Sequence, residues 1–513
     1  MTRGNGPSRN ESDGERARRS VNVATAKPLR NPRAKPENED GRKRNQTDEL
    51  IDMAACDAEL FATPSDEIAY AAIRRQMHRE VWPVQSRGFK RWLTHRYFLS
   101  FGRAPSADAP NRAIATLDAI AAHGNHAPVF LRRAEKDGKL FLDLCDERWR
   151  AIEVSADGWR IVETPPVSFG RSPGMMALCE PEQGGSIDEL RALLTVATDS
   201  DFQLIVAWLL AALRASGPYP ILALTGEGGT AKTSTARLLR SLIDPHLASV
   251  RRPPQSERDL FVGASKTSML VYDNLSGIPD WLSDALCVIA TGGAYTARQL
   301  HTDGDEVIFS TCLPVMITSV GEVIARSDLA SRAITISLGT IPDDTRKPEA
   351  ELHRLIEAAR PRILGALLDA TSHGLREFSP VSAGRLPRLA AFMQWAQACE
   401  GAFWQPGSIQ AAFEKNSADA AEGVLEADSV ALALIGFLAA QGGAWTGKGW
   451  QLLSLLNAYA PEGAPREKSW PRDPTRLSSR LKLAVPSLRQ RGISITRRKS
   501  NGERLIEITS TAR

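Results

Sequence analysis

Residues 221–236, ILALTGEGGTAKTSTA, set an apolar run ahead of a glycine-rich turn and a helix-forming segment, the order strand, phosphate loop, helix. Gly226, Glu227, Gly228, Gly229, Thr230, Ala231, Lys232 and Thr233 follow the spacing G-x-x-x-x-G-K-[ST] with one departure, Ala231 where the second fixed glycine is expected. Glycines let successive backbone N–H groups turn in on an anion, and the following helix N-terminus adds its partial positive charge. In such a loop Lys232 reaches the β- and γ-phosphates of ATP, Thr233 offers its hydroxyl to Mg²⁺, and Ser234 completes the nucleotide-binding set. The extra methyl group of Ala231 is compatible with this shape if its φ is negative, which predicts a modified loop that still binds. The plainer reading, a glycine-rich turn that binds nothing, leaves the Lys-Thr pair behind a buried strand unexplained.

Downstream, TSMLVY (267–272) is a second apolar run, ending in Asp273-Asn274. A carboxylate delivered from the end of a buried strand belongs beside the Mg²⁺ held by Thr233, which nominates Asp273; an N-capping Asp-Asn pair is the rival reading. A third run, LPVMITS, ends in Thr318-Ser319, polar groups suited to sensing a γ-phosphate or orienting water. The segment DLASRA then brings Arg332 ahead of a fourth strand, ITISL. A guanidinium so placed is a candidate arginine finger, with an ordinary surface ion pair as the alternative.

Outside this core, charge is unevenly spread. The 513 residues carry a net +4, yet residues 1–47 carry +6 and residues 472–513 carry +8, so the stretch between them is at −10. Any polyanion other than a nucleotide is therefore expected at the ends. Six cysteines, at 56, 145, 179, 287, 312 and 399, form no C-x-x-C pair, which argues against a zinc ribbon or a disulfide framework. The polar start has no apolar signal segment, and the longest apolar run, Leu204 to Leu213, is short of the ~20 residues of a membrane span. These features predict a cytoplasmic protein with no membrane partner.

Residues 1–47 lack apolar periodicity and are expected to be a disordered basic tail. Residues 48–185 read as an α+β domain: helical spacing in ELFATPSDEIAYAAI, in SRGFKRWLTHRYFLSFG and over 107–122, then hairpins around Asp137-Gly138 and Asp157-Gly158. His123 and His126 lack a third ligand and read as loop residues. Helices are expected at 187–197, 199–215 and 233–243, and a long one at 349–372 interrupted at Pro361. The core is assigned to 186–375 and a helical extension to 376–427.

The order GEGGTAKT, YDN, TGGAYTARQLHT, ITS, DLASRA resembles the ATPase core of superfamily-3 helicases, and within them the primase-helicase-type ATPases of poxviruses, phages and integrated mobile elements. The resemblance covers about residues 195–345. It implies a modified AAA+-type α/β core that assembles as a homo-oligomeric ring, with the Mg²⁺ acid at Asp273 and Arg332 reaching a neighbour's nucleotide. It also implies a DNA-contacting hairpin in TGGAYTARQLHT, nominating Arg298 and His301. Three positions depart from that pattern: Ala231, Asn274 where a second carboxylate is common, and Ser319 where an asparagine is expected. Asn274 cannot serve as a general base, which implies either slow turnover or another acid, Glu227 being reachable only if the loop turns it inward.

From 428 onward three helices and a basic hairpin give an outline similar to a winged helix-turn-helix. Arg476, Arg480 and Lys482 fall on the third helix, the one expected in a DNA major groove, and Arg497, Arg498 and Lys499 on the wing. The whole is thus expected to be an α/β P-loop ATPase core between an N-terminal α+β domain and a C-terminal winged helix, working as a DNA helicase or replication-initiation ATPase. A non-motor AAA+ switch, or a non-enzymatic DNA-binding regulator with a structural nucleotide site, are the alternatives.

Overall fold

The computed structural model describes residues 45–513 apart from 76, 299–305, 343, 345, 379–388, 468–469, 501–502 and 512–513; of 295–298, 306–310, 500 and 503 it describes the backbone alone. Most of the basic tail predicted for residues 1–47 lies outside the described residues. Asn45 caps the first helix by accepting from the Asp48 N–H at 2.9 Å.

The first layer is α1 (Gln46–Asp57), β1 (Ala58–Ala62), β2 (Ala69–Arg74), β3 (Arg79–Pro83), α2 (Arg87–Phe101), α3 (Ala109–Ala122) and β4 (Asn125–His126). ELFATPSDEIAYAAI, expected as a helix, is instead the antiparallel pair β1 and β2, with Ala58 opposite Ile73 and Ala62 opposite Ala69. Thr63 explains the turn between them: its hydroxyl accepts the Ile68 N–H at 3.0 Å, a local bond that competes with helix. Pro64 in the same turn lacks an amide proton for a helical bond. The helices over 87–101 and 109–122 match expectation.

Both hairpins form as expected. β5 (Val129–Leu131), β6 (Arg133–Lys136), β7 (Lys139–Asp143), β8 (Ala151–Ser155), β9 (Gly158–Val162) and β10 (Ser168–Gly170) follow in chain order. β6 to β9 make a four-stranded antiparallel meander. Leu140, Leu142, Ile152 and Val154 enter the same buried cluster as Leu204–Leu213, Leu222 and Ile363. Arg132, fully buried, holds this junction. It pairs with Asp244 at 3.1 Å and donates to the carbonyls of Asp143 and Met176. A buried pair of this kind costs about 3–5 kcal/mol to break from one side.

Next come α4 (Asp188–Arg191), α5 (Asp199–Ala212), β11 (Ile221–Thr225), α6 (Lys232–Ile243), α7 (Glu257–Ala264), β12 (Leu270–Leu275), α8 (Asp280–Thr291), β13 (Gly293–Arg298), β14 (Glu306–Thr311), β15 (Val315–Ser319), α9 (Ser327–Ala330), β16 (Ala333–Ser337) and α10 (Glu349–Glu377). The helix expected over 187–197 is only the single turn α4. Four parallel strands run in the order β12-β15-β11-β16. Every residue of β11 and β15 is buried, as a sheet covered on both faces requires. α5 is apolar nearly all round and buried accordingly; its Trp208 donates its indole N–H to the Pro220 carbonyl at 2.8 Å.

Pro361 does not interrupt α10, which runs unbroken through 29 residues. The chain at 182–185 crosses the helix there. Glu182 donates its N–H to the Pro361 carbonyl at 3.0 Å, and a Cβ on Gly365 would stand 1.8 Å from the Glu182 carbonyl oxygen. Packing along Ile363–Leu368 compensates the bond that proline removes.

The last elements are α11 (Ala390–Glu400), α12 (Ser408–Glu426), α13 (Ser429–Ala440), β17 (Ala444–Lys448), α14 (Gly449–Ala458), α15 (Pro474–Gln490), β18 (Ile493–Ser500) and β19 (Glu503–Ser510). α11 ties to the core through Trp395, which donates to the Leu210 carbonyl at 2.9 Å. α13 to β19 close around their own cluster, including Leu434, Phe437, Leu452, Leu481 and Ile508, with a three-stranded sheet in the order β17-β19-β18. Among the described residues no single helix is long and apolar enough to cross a membrane.

Candidate nucleotide site and DNA-facing surfaces

β11 delivers the glycine loop to the C-terminal edge of the parallel sheet, and α6 starts at Lys232 immediately behind it. The loop shape follows from its glycines. Gly226 lies at φ 149° and Gly229 at φ 85°. A Cβ on Gly226 would sit 2.8 Å from the Thr230 hydroxyl and 2.9 Å from the Leu338 carbonyl oxygen, so no larger residue fits. Thr230 steadies the turn by donating its hydroxyl to the Glu227 carbonyl at 3.0 Å. Ala231 corrects the sequence expectation: its φ is +58°, left-handed, not negative. The backbone takes the conformation a glycine would take, and the alanine bears the strain.

The charged groups gather at this edge. Lys232 Nζ donates to the carbonyls of Gly226 at 2.8 Å and Glu227 at 2.6 Å, so it arches back over the loop. The Thr233 hydroxyl donates to Asp273, 3.0 and 3.1 Å from the two carboxylate oxygens. Thr318 Oγ1 donates to Asp273 Oδ1 at 2.5 Å and accepts the Asn274 N–H at 2.9 Å. Ser319 differs. Alternation along β15 turns it away, and its hydroxyl donates to the Gly321 carbonyl at 2.6 Å. The structure therefore joins Lys232, Thr233, Asp273 and Thr318 and sets Ser319 apart. Ser234, partly buried, lies in the first turn of α6, while Glu227, Gly228 and Gly229 are exposed at the rim.

β12 extends past its expected end at Tyr272 to Leu275, with a register shift between Tyr272 and Leu275. Asn274 sits in that irregularity at φ +58° with its side chain exposed. Asn is among the few non-glycine residues that tolerate this conformation, a local reason for its identity.

Sequence reasoning missed Arg346. Its Nη2 lies 3.4 Å from where a Cβ on Gly229 would stand, so a guanidinium from the segment between β16 and α10 overlies the glycine loop. No motif marks that residue, since only the path of the chain after β16 brings it there.

Arg332 is elsewhere. It precedes β16, where Ala333 pairs with Ile221 at the start of β11, whereas the glycine loop leaves the other end, where Thr225 pairs with Ser337. A strand of this length separates them by roughly 15 Å. Its Nη1 donates to the Asp328 carbonyl at 2.8 Å. Arg298 ends β13 of the antiparallel β13–β14 hairpin, with only its backbone described, and His301 lies outside the described residues.

On the terminal unit, Arg476 and Arg480 share one face of α15, while Lys482 stands roughly 240° round the helix from Arg476. Lys482 lines a groove that α15 forms with α9, α11 and α12. Arg480 pairs with Asp428 at 3.4 Å, and Arg497 donates to the Ser478 carbonyl at 3.1 Å, so both also brace the unit. Arg498 and Lys499 are exposed on β18. The Ser327 hydroxyl donates to the Leu483 carbonyl at 2.7 Å, linking α9, just ahead of Arg332, to α15.

The fit of this site to Mg²⁺ and a nucleotide rests on its donors. A hydroxyl and a carboxylate within hydrogen-bond distance are hard oxygen ligands, and Mg²⁺ characteristically takes one or two such groups together with phosphates and water. The glycine loop with its neighbouring cations provides the complementary charge.

Two stretches match known families. Residues 187–396 match the family described as actinomycete integrative conjugative element replication protein, and residues 430–513 match the AICE RepA C-terminal domain. Together they span more than half of the chain. No curated protein matches it in sequence. Among solved structures, the SCCmec type IV Cch active helicase is similar over 88% of this chain and 93% of its own, at 12% identity and TM-score 0.44. The apo C-terminal region of NrS-1 covers 91% of this chain and 100% of its own, at 12% identity and TM-score 0.40.

Proposed function

Since the chain belongs to the family of actinomycete integrative conjugative element replication proteins, we propose that it is an ATP-driven DNA motor, a helicase or replication-initiation ATPase of the element. The observation that carries this reading is the convergence of Lys232, Thr233, Asp273 and Thr318 at one edge of the parallel sheet. In this reading the loop amides and Lys232 hold the phosphates, with Arg346 closing over them, and Thr233 and Asp273 hold Mg²⁺. Bound Mg²⁺ supplies charge neutralisation on the phosphate oxygens. Thr318 fixes the Asp273 carboxylate by hydrogen bonding to it. Arg332, far from its own loop, acts on the nucleotide of a neighbouring subunit in a ring.

The rest of the reading divides the chain into a basic tail to 47, an α+β unit over 48–185, the ATPase core over 186–375, a helical extension over 376–427 and a winged helix over 428–513. In it Arg298, His301, Arg476, Arg480, Arg497, Arg498 and Lys499 face DNA, whereas Lys482, expected with them, lies on the other side of α15 in the groove against α9, α11 and α12.

Steady-state ATP hydrolysis with and without single-stranded DNA, beside a Lys232→Ala control, tests the proposal. DNA-stimulated turnover lost in the control is expected, and its absence would overturn the motor. A second reading, a non-motor ATP switch, is favoured by Asn274: it is exposed and adds no second carboxylate to the site. Tight nucleotide binding with slow, DNA-insensitive turnover would select it. Nucleotide that is bound and raises the unfolding temperature but is not hydrolysed, with DNA binding unaffected by it, would instead select a regulator with a structural nucleotide site.

A further inference from the structure

We propose that the outer face of α2 is a binding site for single-stranded DNA, separate from the hairpin and the winged helix. α2 divides its residues sharply. Phe89, Trp92, Leu93 and Tyr97 are buried with α1 and α3. The opposite side presents Arg87, Lys90, Arg91, His95 and Phe98 along a groove of about 480 Å³ that Pro105 closes. The spacing of Arg87, Arg91, His95 and Phe98 sets them in one row along the helix.

Charge points to the occupant. Residues 81–107 hold five Lys/Arg and no Asp or Glu, within the −10 middle of the chain. Arg96, on another side, is neutralised by Asp57 at 2.6 Å. Among the described residues no carboxylate pairs with Arg87, Lys90 or Arg91. Lys90 donates to the neutral amide oxygen of Asn111 at 2.6 Å. Such a row repels cationic partners and attracts a polyanion.

The aromatic content selects among polyanions. Phe98 is 52% exposed at the end of the basic row, with Leu99 at 53% and Phe101 at 42% beside it. In a duplex the base faces are stacked on one another; in a single strand they are open to an aromatic ring. Cations that track phosphates, followed by an exposed ring, are the arrangement by which proteins hold single strands without sequence preference. Under the motor reading proposed above, on which this inference rests, strand separation makes that ligand.

The test uses the full chain without nucleotide, so that failure of ATP turnover leaves it untouched. Fluorescence anisotropy compares a labelled oligo-dT single strand with a duplex of equal length. Phe98→Ala should weaken single-strand binding by about 5- to 160-fold, the scale of one lost base stack, and leave duplex binding unchanged. Arg87→Ala with Arg91→Ala should weaken it and reduce the salt slope by about 1.4, from two phosphate contacts at ~0.7 each. These side chains are exposed, so thermal unfolding should not move. Photocrosslinking with bromodeoxyuridine oligonucleotide should label residues 87–105. Parent affinity in both variants, equal losses on single strand and duplex, or adducts confined to other segments would overturn the proposal, the first pointing to a protein-docking face.

Discussion

Ala231→Gly should stabilise the ATPase core, against the usual direction of an alanine-to-glycine change. Ala231 holds φ 58° and ψ 26° at the N-cap of α6, with no side-chain cap. Its Cβ costs about 1–2 kcal/mol in that left-handed conformation. Glycine removes this cost and adds about 0.4–1 kcal/mol of unfolded-state freedom to be lost on folding. The balance is a gain of up to about 1.5 kcal/mol, and the preference of N-caps for glycine over alanine acts in the same direction. For a core of this size that is a rise of up to about 6 °C, at ~2–4 °C per kcal/mol. Thermal and urea unfolding followed by tryptophan fluorescence reads it, because Trp208 and Trp395 are buried in the same core. Ala231→Val should lower the midpoint, since a β-branched residue fits the left-handed region worse. A lower midpoint for the glycine variant together with a higher one for valine would refute the left-handed assignment. Nucleotide affinity should be retained in the glycine variant.

Asp273→Asn should abolish Mg²⁺-dependent ATP hydrolysis while nucleotide binding persists in fluorescence titration; unchanged turnover would remove Asp273 from the metal site. Mixing Arg332→Ala with Lys232→Ala subunits should restore part of the activity each lacks, since a finger acting between subunits accelerates phosphoryl transfer by ~10³–10⁵; an active monomer would exclude this. Replacing Arg497, Arg498 and Lys499 together should flatten the salt dependence of duplex binding by up to about 2.7, three contacts at ~0.9 each, as read by titration at several salt concentrations. Stability should fall as pH drops below about 6.5 toward the lower folded-state pKa of His246. Burial first, then the charges of Arg240 and Arg251, lower that pKa, so the unfolded chain takes up the proton more readily. His246→Asn should flatten urea midpoints between pH 7.5 and 5.5; an unchanged slope would exclude this histidine.

The sequence by itself determined the glycine loop, its flanking strand and helix, the strands that carry Asp273 and Thr318, both meander hairpins, and the three helices and final hairpin of the terminal unit, but not β17, which joins that hairpin as a third strand. These signals are local: fixed spacings, apolar runs and turn residues report on neighbours within a few positions of the chain. Where two local signals competed, the sequence misled. The alanines and leucine of β1 and β2 carried helical spacing, but strand pairing with β3 and β4 and the burial of Phe61 and Ile73 decided the matter. Pro361 looked like a break until Glu182 and the packing against Gly365 were in place. Only the tertiary structure could choose Thr318 over Ser319, because which hydroxyl faces Asp273 depends on how β15 lies beside β12. The same holds for Arg346 over the glycine loop and for the row of cations and Phe98 on α2. Each depends on chain segments distant in sequence meeting in space, and burial and pairing across the fold, not local spacing, determine those meetings.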